Sequence, residues 1–318
     1  MANKHGHRVV ANFTEEVVGF ALESYLSLIS FPVQRFSIEP FSQADERWLG
    51  ADARLHSSIR GFLPFYMQFK RPLAYPDFST SKIIKGRKSL KLDVDPHALY
   101  FELRDKKPHH PDFQHNVLFN LRSWLRQTGL GDAAYVCPLF LDRSNYRTSL
   151  HWSGVWNWAR FRGHIPWDLE QILIADAGRS IKFDRIPMIS EHISIPPHKI
   201  VNSAKHSYSF TESGTGLCFH SPEALPEGAD RLDKFLSRIA TRFLDRTDKI
   251  NRDQASQRLR ELVAAVFGSQ PRGTVPQFGE LEDPIGQWFA WGDFLSSEYG
   301  IEQYAFVRWD DSFPRFPF

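Results

Sequence analysis

Between Phe13 and Ser30 the apolar residues Val18, Ala21, Leu22, Tyr25, Leu28 and Ile29 fall on one stripe, which predicts a helix over about 13–30. Thr14 suits its N-cap, and Pro32 follows its end. Extended backwards, the stripe carries Glu15 on the core-facing side, whereas Glu16 falls toward Phe20 and Glu23. A carboxylate at the head of a buried stripe is either a working group or a solvated one favoured by the helix dipole.

The period then changes from helical to alternating. In GADARL, Ala51, Ala53 and Leu55 alternate with Asp52 and Arg54, and FLPFYMQFKRP reads as a second strand. Strand geometry turns Gln68 and Lys70 to one face and Met67 and Phe69 to the other. Asp52 lies sixteen residues before Gln68, enough for a hairpin between adjacent strands. HALYFELR reads as a further strand, Phe113–Leu125 as a helix, and AAYVCPLFLD as a buried strand ending at Asp142.

From Arg143 to Pro197 no period is clear. Trp152, Trp156, Trp158 and Trp167 crowd there among Arg160, Arg162 and His164, a set suited to base stacking or to packing. Residues 206–221 predict two strands joined at Gly214 and Gly216. Helical stripes follow through Leu232–Phe243 and Leu259–Phe267, with another helix near Ile285–Ser297 and a strand at Gln303–Trp309. This divides the chain into an α/β part over 1–222 and a mainly helical part over 223–318, the latter with an aromatic tail, DDSFPRFPF, suited to docking.

Composition changes little in this picture. A 42% hydrophobic and 24% charged chain is ordinary for a soluble protein, and a net charge of +2 leaves the question of nucleic acid to local distribution. The one dense basic run is SKIIKGRKSLK, with Lys82, Lys85, Arg87, Lys88 and Lys91; it would track a phosphate backbone or be a solvated loop. Cys137 and Cys218 form no motif, which suits a reducing cytoplasm. No apolar leader opens the sequence, and no stretch approaches the ~18 apolar residues of a membrane span, so a cytoplasmic location without membrane contact is expected. Walker A, G-x-G-x-x-G and G-x-S-x-G sequences are absent. His109, His110 and Asp112 make no zinc site, because adjacent histidines diverge on an extended chain.

Asp52, Gln68 and Lys70 would gather a carboxylate, an amide oxygen and an ammonium at one sheet edge, and the spacing alone shows only that they could converge. The pattern Asp…Q-x-K, written here as QFKRP after an apolar strand and preceded by a helix with an inward Glu, resembles the Q-x-K variant of the PD-(D/E)XK nucleases, as in Mrr-like restriction endonucleases and anti-phage nucleases. The resemblance covers about residues 13–142 and implies a restriction-endonuclease-like mixed sheet with an α-β-β-β-α-β core flanked by helices. It implies a Mg²⁺ (or Mn²⁺) ion held by Asp52, Glu15, Gln68 and the Phe69 carbonyl, with Lys70 assisting water attack. The implied activity is endonucleolytic cleavage of DNA in bacterial restriction or anti-phage defence, restrained by a regulatory protein partner or by homo-oligomerisation. The neutral Gln68, where relatives carry an acid, keeps an alternative open: a nuclease-fold adaptor without activity that binds nucleic acid or a partner.

Overall fold

The alternation read along FLPFYMQFKR becomes a long strand with two different apolar faces, around which the helices are layered. The computed structural model describes residues 7–29, 36–41, 58–110, 112–162, 186–221, 223–225, 228–244, 249–268 and 283–310. In chain order the elements are β1 (Val9–Val10), α1 (Glu15–Ile29), β2 (Phe36–Pro40), β3 (Ile59–Phe69), β4 (Leu73–Pro76), α2 (Lys82–Ser89), β5 (His97–Glu102), α3 (Gln114–Thr128), β6 (Asp132–Pro138) and α4 (Arg143–Phe161). There follow α5 (Pro187–Ser190), β7 (His192–Ile195), β8 (Ser207–Thr211), β9 (Cys218–Phe219), β10 (Glu223–Ala224), β11 (Asp230–Arg231), α6 (Leu232–Leu244), β12 (Ile250–Asn251), α7 (Arg252–Phe267), α8 (Pro284–Phe294) and β13 (Glu302–Trp309). A π-helical turn, Leu295–Tyr299, continues α8 toward β13.

The fold is mixed α/β with flanking helices. One sheet runs β11-β7-β6-β3-β13-β2, with β12 also beside β3; the other runs β1-β4-β5-β8-β9-β10. In the first sheet β3 and β6 are parallel and every other pairing is antiparallel. One face of β3, with Phe62 and Tyr66, packs on α3, α7, α8 and the aromatic face of the second sheet. The other, with Leu63, Phe65, Met67 and Phe69, packs on α1 and α6. A strand covered on both faces reads as a continuous apolar run, as this one does.

The turn from α3 into β6 fixes the parallel register Phe65↔Asp132 to Phe69↔Val136. Gly131 makes it possible, with φ of 140° and a Cβ position that would lie 2.0 Å from the Pro64 carbonyl oxygen. No other residue fits there.

The predicted strand around Asp52 lies outside the described residues; among the described strands the neighbours of β3 are β13 on one edge and β6 with β12 on the other. Other expectations are corrected. HALYFELR, expected as a hairpin partner in the same sheet, is β5 of the second sheet, between β4 and β8. The boundary at 222 separates nothing in the first sheet, since β13 lies between β2 and β3 and α6 packs on the face of β3 that holds Phe65. The basic run is a helix, α2, capped by Ser81, whose hydroxyl accepts from the Ile84 N–H at 3.2 Å. The blurred stretch after Asp142 opens with the long helix α4.

Candidate active site at the end of β3

The last residues of β3 bring Gln68 and Lys70 to the same face, as period two requires. The Lys70 N–H donates to the Val136 carbonyl at 2.8 Å, so the ladder to β6 continues past the strand. Tyr135, opposite Gln68 in the register, thereby flanks Lys70: the ammonium lies 5.7 Å from the centre of the Tyr135 ring. Lys70 Nζ also stands 3.4 Å from Gln114 Oε1, while Gln114 Nε2 donates to the Tyr299 carbonyl and so fixes which end of the amide faces the lysine.

Both residues are shut away from water, Gln68 at 1% exposure and Lys70 at 2%. Burial brings the Lys70 pKa down from 10.5 to about 8; the Glu15 carboxylate opposes that shift and the Arg104 guanidinium adds to it. Gln68 adds to the cost, because among the described residues neither its Oε1 nor its Nε2 has a hydrogen-bond partner. Replacing Gln68 by leucine should therefore raise stability, by about 1–3 kcal/mol per polar atom relieved. Urea midpoints measure this; a lower midpoint in the variant would show that the amide has a partner in solution.

Glu15 reaches the same strand end from the other side of the sheet. Helix α1 lies against Phe69, where a Cβ added to Gly19 would meet the Phe69 ring at 3.0 Å. The first turn of α1 overhangs the end of β3, so Glu15 Oε1 accepts from the Arg71 N–H at 3.3 Å and Oε2 is paired with Arg104 just beyond β5. Glu15 and Lys70 thus lie near the same strand end, close enough for the carboxylate to act on the ammonium, with Gln68 one pleat further in. Asp52 lies outside the described residues. The donors are hard oxygens of the kind Mg²⁺ takes, and Gln68 Oε1 is unclaimed. Yet Glu15 is committed to Arg104, and among the described residues no three His, Cys, Asp or Glu side chains converge on a point that could hold a metal ion.

His115, beside Gln114 on α3, serves packing. Its Nε2 donates to the Lys199 carbonyl at 2.8 Å, which leaves Nδ1 to accept from the Tyr135 hydroxyl at 2.7 Å. Burial holds its pKa down at about 4, so the ring is neutral and the tyrosine beneath Lys70 is locked. His110 pairs with Glu298 at 2.7 Å, and its ring lies tilted against that of Tyr299, with centres 4.6 Å apart.

The proposed phosphate-binding run divides in two. Lys82, Lys85, Lys88 and Lys91 are exposed, with Lys88 Nζ donating to the Asp77 carbonyl at 2.8 Å. Arg87 is the correction: it is fully buried and donates to the carbonyls of Asp93 and Gly216 and to Ser209 Oγ, tying α2 to the second sheet. On α4, Trp152 and Trp158 are each 57% exposed, and the Arg162 guanidinium lies 5.5 Å from the Trp158 ring centre. Trp167 and His164, and the side chains of Trp156 and Arg160, lie outside what is described.

No protein-family model, curated protein or solved structure matches the chain. Its chemistry must therefore be argued from its own residues.

Three of these escaped sequence reasoning. Arg104 ends a strand and looks like a solvated cation; only the overhang of α1 pairs it with Glu15. Glu302 and Tyr304 sit two apart at the start of β13, and period two would have put them on one face. They line a cavity of about 460 Å³ with Glu15, Glu16 and Glu23 of α1. No helix among the described residues is long and apolar enough to cross a membrane.

Proposed function

We propose that the chain is a metal-dependent phosphodiester hydrolase acting on DNA, with its working groups at the end of β3. The observation that supports this reading most is Lys70, an ammonium kept out of water beside an unclaimed carboxamide, with its pKa brought down to about 8. Burying both groups costs stability, and a site is the economical reason to keep them.

When bound, Mg²⁺ or Mn²⁺ supplies Lewis acidity at the phosphate and an acidified water. Gln68 Oε1, the Phe69 carbonyl, Glu15 and Asp52 are the oxygens that would hold it. Lys70 orients the attacking water and offsets the charge that develops on the phosphate, a task for a compact ammonium in a low-dielectric setting. Glu15 serves only after releasing Arg104, which is then available to the phosphate itself. The lysines of α2 offer a salt-sensitive track for the DNA backbone. The setting that fits is bacterial restriction or anti-phage defence, in the cytoplasm, with activity checked by a regulatory partner or self-association.

A second reading, a nuclease-like scaffold that binds nucleic acid or a partner protein without cutting, is favoured by one specific observation. Gln68 and Lys70 are sealed from solvent, and Glu15 is neutralised by Arg104. Supercoiled plasmid incubated with the purified chain separates the two. The hydrolase should nick or linearise it in Mg²⁺ or Mn²⁺ and not in EDTA, with loss of cutting in Asp52→Ala and Glu15→Gln. DNA retained intact under every divalent ion would establish the scaffold.

A further inference from the structure

Lys70 and Gln68 are enclosed, so anything they act on needs a way in. The closed arrangement also costs free energy: an ammonium is held out of water, and a carboxamide keeps two polar atoms without a partner among the described residues. Local opening that lets water reach both groups recovers part of that cost, which makes this a place for the fold to open cheaply.

The wall around the ammonium is not uniform in strength. Lys70 lies against Tyr135 and Gln114. Tyr135 is held at its hydroxyl by His115 and packs its ring against Phe101 and Tyr208, with centres 5.2 and 5.6 Å apart. Tyr299 is equally fixed, its ring centre lying 5.8 Å from that of Phe267 and 5.9 Å from that of Phe294. Gln114 differs. Its carboxamide is held at the tip by two hydrogen bonds, a long one of 3.4 Å from Lys70 Nζ and one to the Tyr299 carbonyl.

There is room beside that carboxamide. A cavity of about 170 Å³ lies between the stretch before α3 and the π-helical turn, lined by Lys107, His110, Asp112, Gln114, Ser297 and Gly300 among others. That is well above the ~15 Å³ that holds one water, and the lining offers a rotated amide new polar partners. Gly300 keeps the way clear: its φ is 61°, and a Cβ there would stand 3.4 Å from Gln114 Nε2. Of the two side chains against the ammonium, Gln114 is the one that lines this cavity.

We infer that the Gln114 carboxamide is a gate. It swings from the Tyr299 carbonyl into the neighbouring cavity and opens Lys70 and Gln68 to water and substrate, while the rest of the fold stays closed. The gate rests on contacts and burial; that it serves phosphodiester cleavage rests on the proposed function.

Acylation of Lys70 in the full chain tests it, with acetic anhydride at pH 10 and peptide mass spectrometry, exposed Lys85 being the reference. Alkylation of Cys218, buried in the second sheet, reports wider opening. In the parent, Lys70 should react more slowly than Lys85, at a rate that stays flat in urea below the unfolding transition, because swinging one side chain exposes little surface. Cys218 should react only as urea promotes unfolding. Gln114→Ala should speed Lys70 at least about tenfold relative to Lys85 and leave Cys218 unchanged. The inference is overturned if parental Lys70 acylation climbs with urea in step with Cys218, if folded Gln114→Ala leaves Lys70 as slow as in the parent, or if it speeds Cys218 equally. Fast acylation in Gln114→Ala, with no plasmid cut by it or by the parent, would uphold the gate and count against the hydrolase.

Discussion

Lys70→Met is expected to abolish metal-dependent cleavage and, at neutral pH, to make the protein more stable. The two effects share one cause. Burial lowers the folded-state pKa of Lys70 from 10.5 to about 8, so between those values the unfolded chain binds more protons than the folded one. Stability of the parent must therefore rise with pH from about 8 to about 10.5; below about 8 the lysine is charged in both states and the whole cost is carried. That cost is roughly 3 kcal/mol at 1.36 kcal/mol per pH unit. Methionine fills similar space without a charge, so the variant should gain up to that amount at pH 7 and lose the rise toward pH 10. Cleavage should fall by about 10²-fold or more, the usual loss for a preorganised electrostatic group. Urea midpoints at pH 7 and pH 10, with plasmid cleavage alongside, check both. Cutting at the parental rate would remove Lys70 from the chemistry, and a stability difference independent of pH would show that it is not buried as a cation.

Arg87→Ala is expected to be the most damaging change in the basic helix, at roughly 3–5 kcal/mol. Its guanidinium satisfies the Asp93 and Gly216 carbonyls and Ser209 Oγ. Truncation leaves those acceptors without a donor where water does not readily replace it, and removes the packing that pins α2 to the second sheet. Lys85→Ala, at an exposed position, should stay within about 0.5 kcal/mol of the parent. The contrast extends to DNA. Alanine at Lys82, Lys85 or Lys91 should lower affinity uniformly and reduce the salt slope by about one each. Arg87→Ala should lower binding only through the folded fraction. Thermal melts and salt-titrated binding read both, and a stable Arg87→Ala protein with a reduced slope would return Arg87 to the nucleic-acid surface.

Local periodicity carried most elements. The stripe from Val18 to Ile29, the alternation ending in Gln68 and Lys70, and the amphipathic runs through Leu236 and Leu262 all form where expected, because each depends on residues a turn or a pleat away. The pairings did not read out, because they depend on distance. β3 is apolar on both faces, so nothing in FLPFYMQF distinguishes a neighbour at 51–55 from one at 302–309. The basic run had a readable helix signal: Ser81 as cap, with Ile83, Ile84 and Arg87 on one stripe. The density of lysines masked it. At the site, period two was enough to align Gln68 with Lys70. Their burial was invisible, since glutamine and lysine look solvent-facing until α3 and the π-helical turn after α8 close over them. The meeting of Glu15 with Arg104 joins the head of one helix to the end of a strand in the other sheet, and no local pattern encodes that.

The place of β13 has a consequence for biosynthesis. A ribosome delivers β2 and β3 some 240 residues before it delivers the strand that must insert between them. Until residue 309 has emerged, the nascent chain carries an apolar β3 with one long edge unpaired, the arrangement most prone to sticking to other chains. Vectorial folding of the first sheet therefore waits on β13, and the end of β3 is not enclosed until that strand has been made.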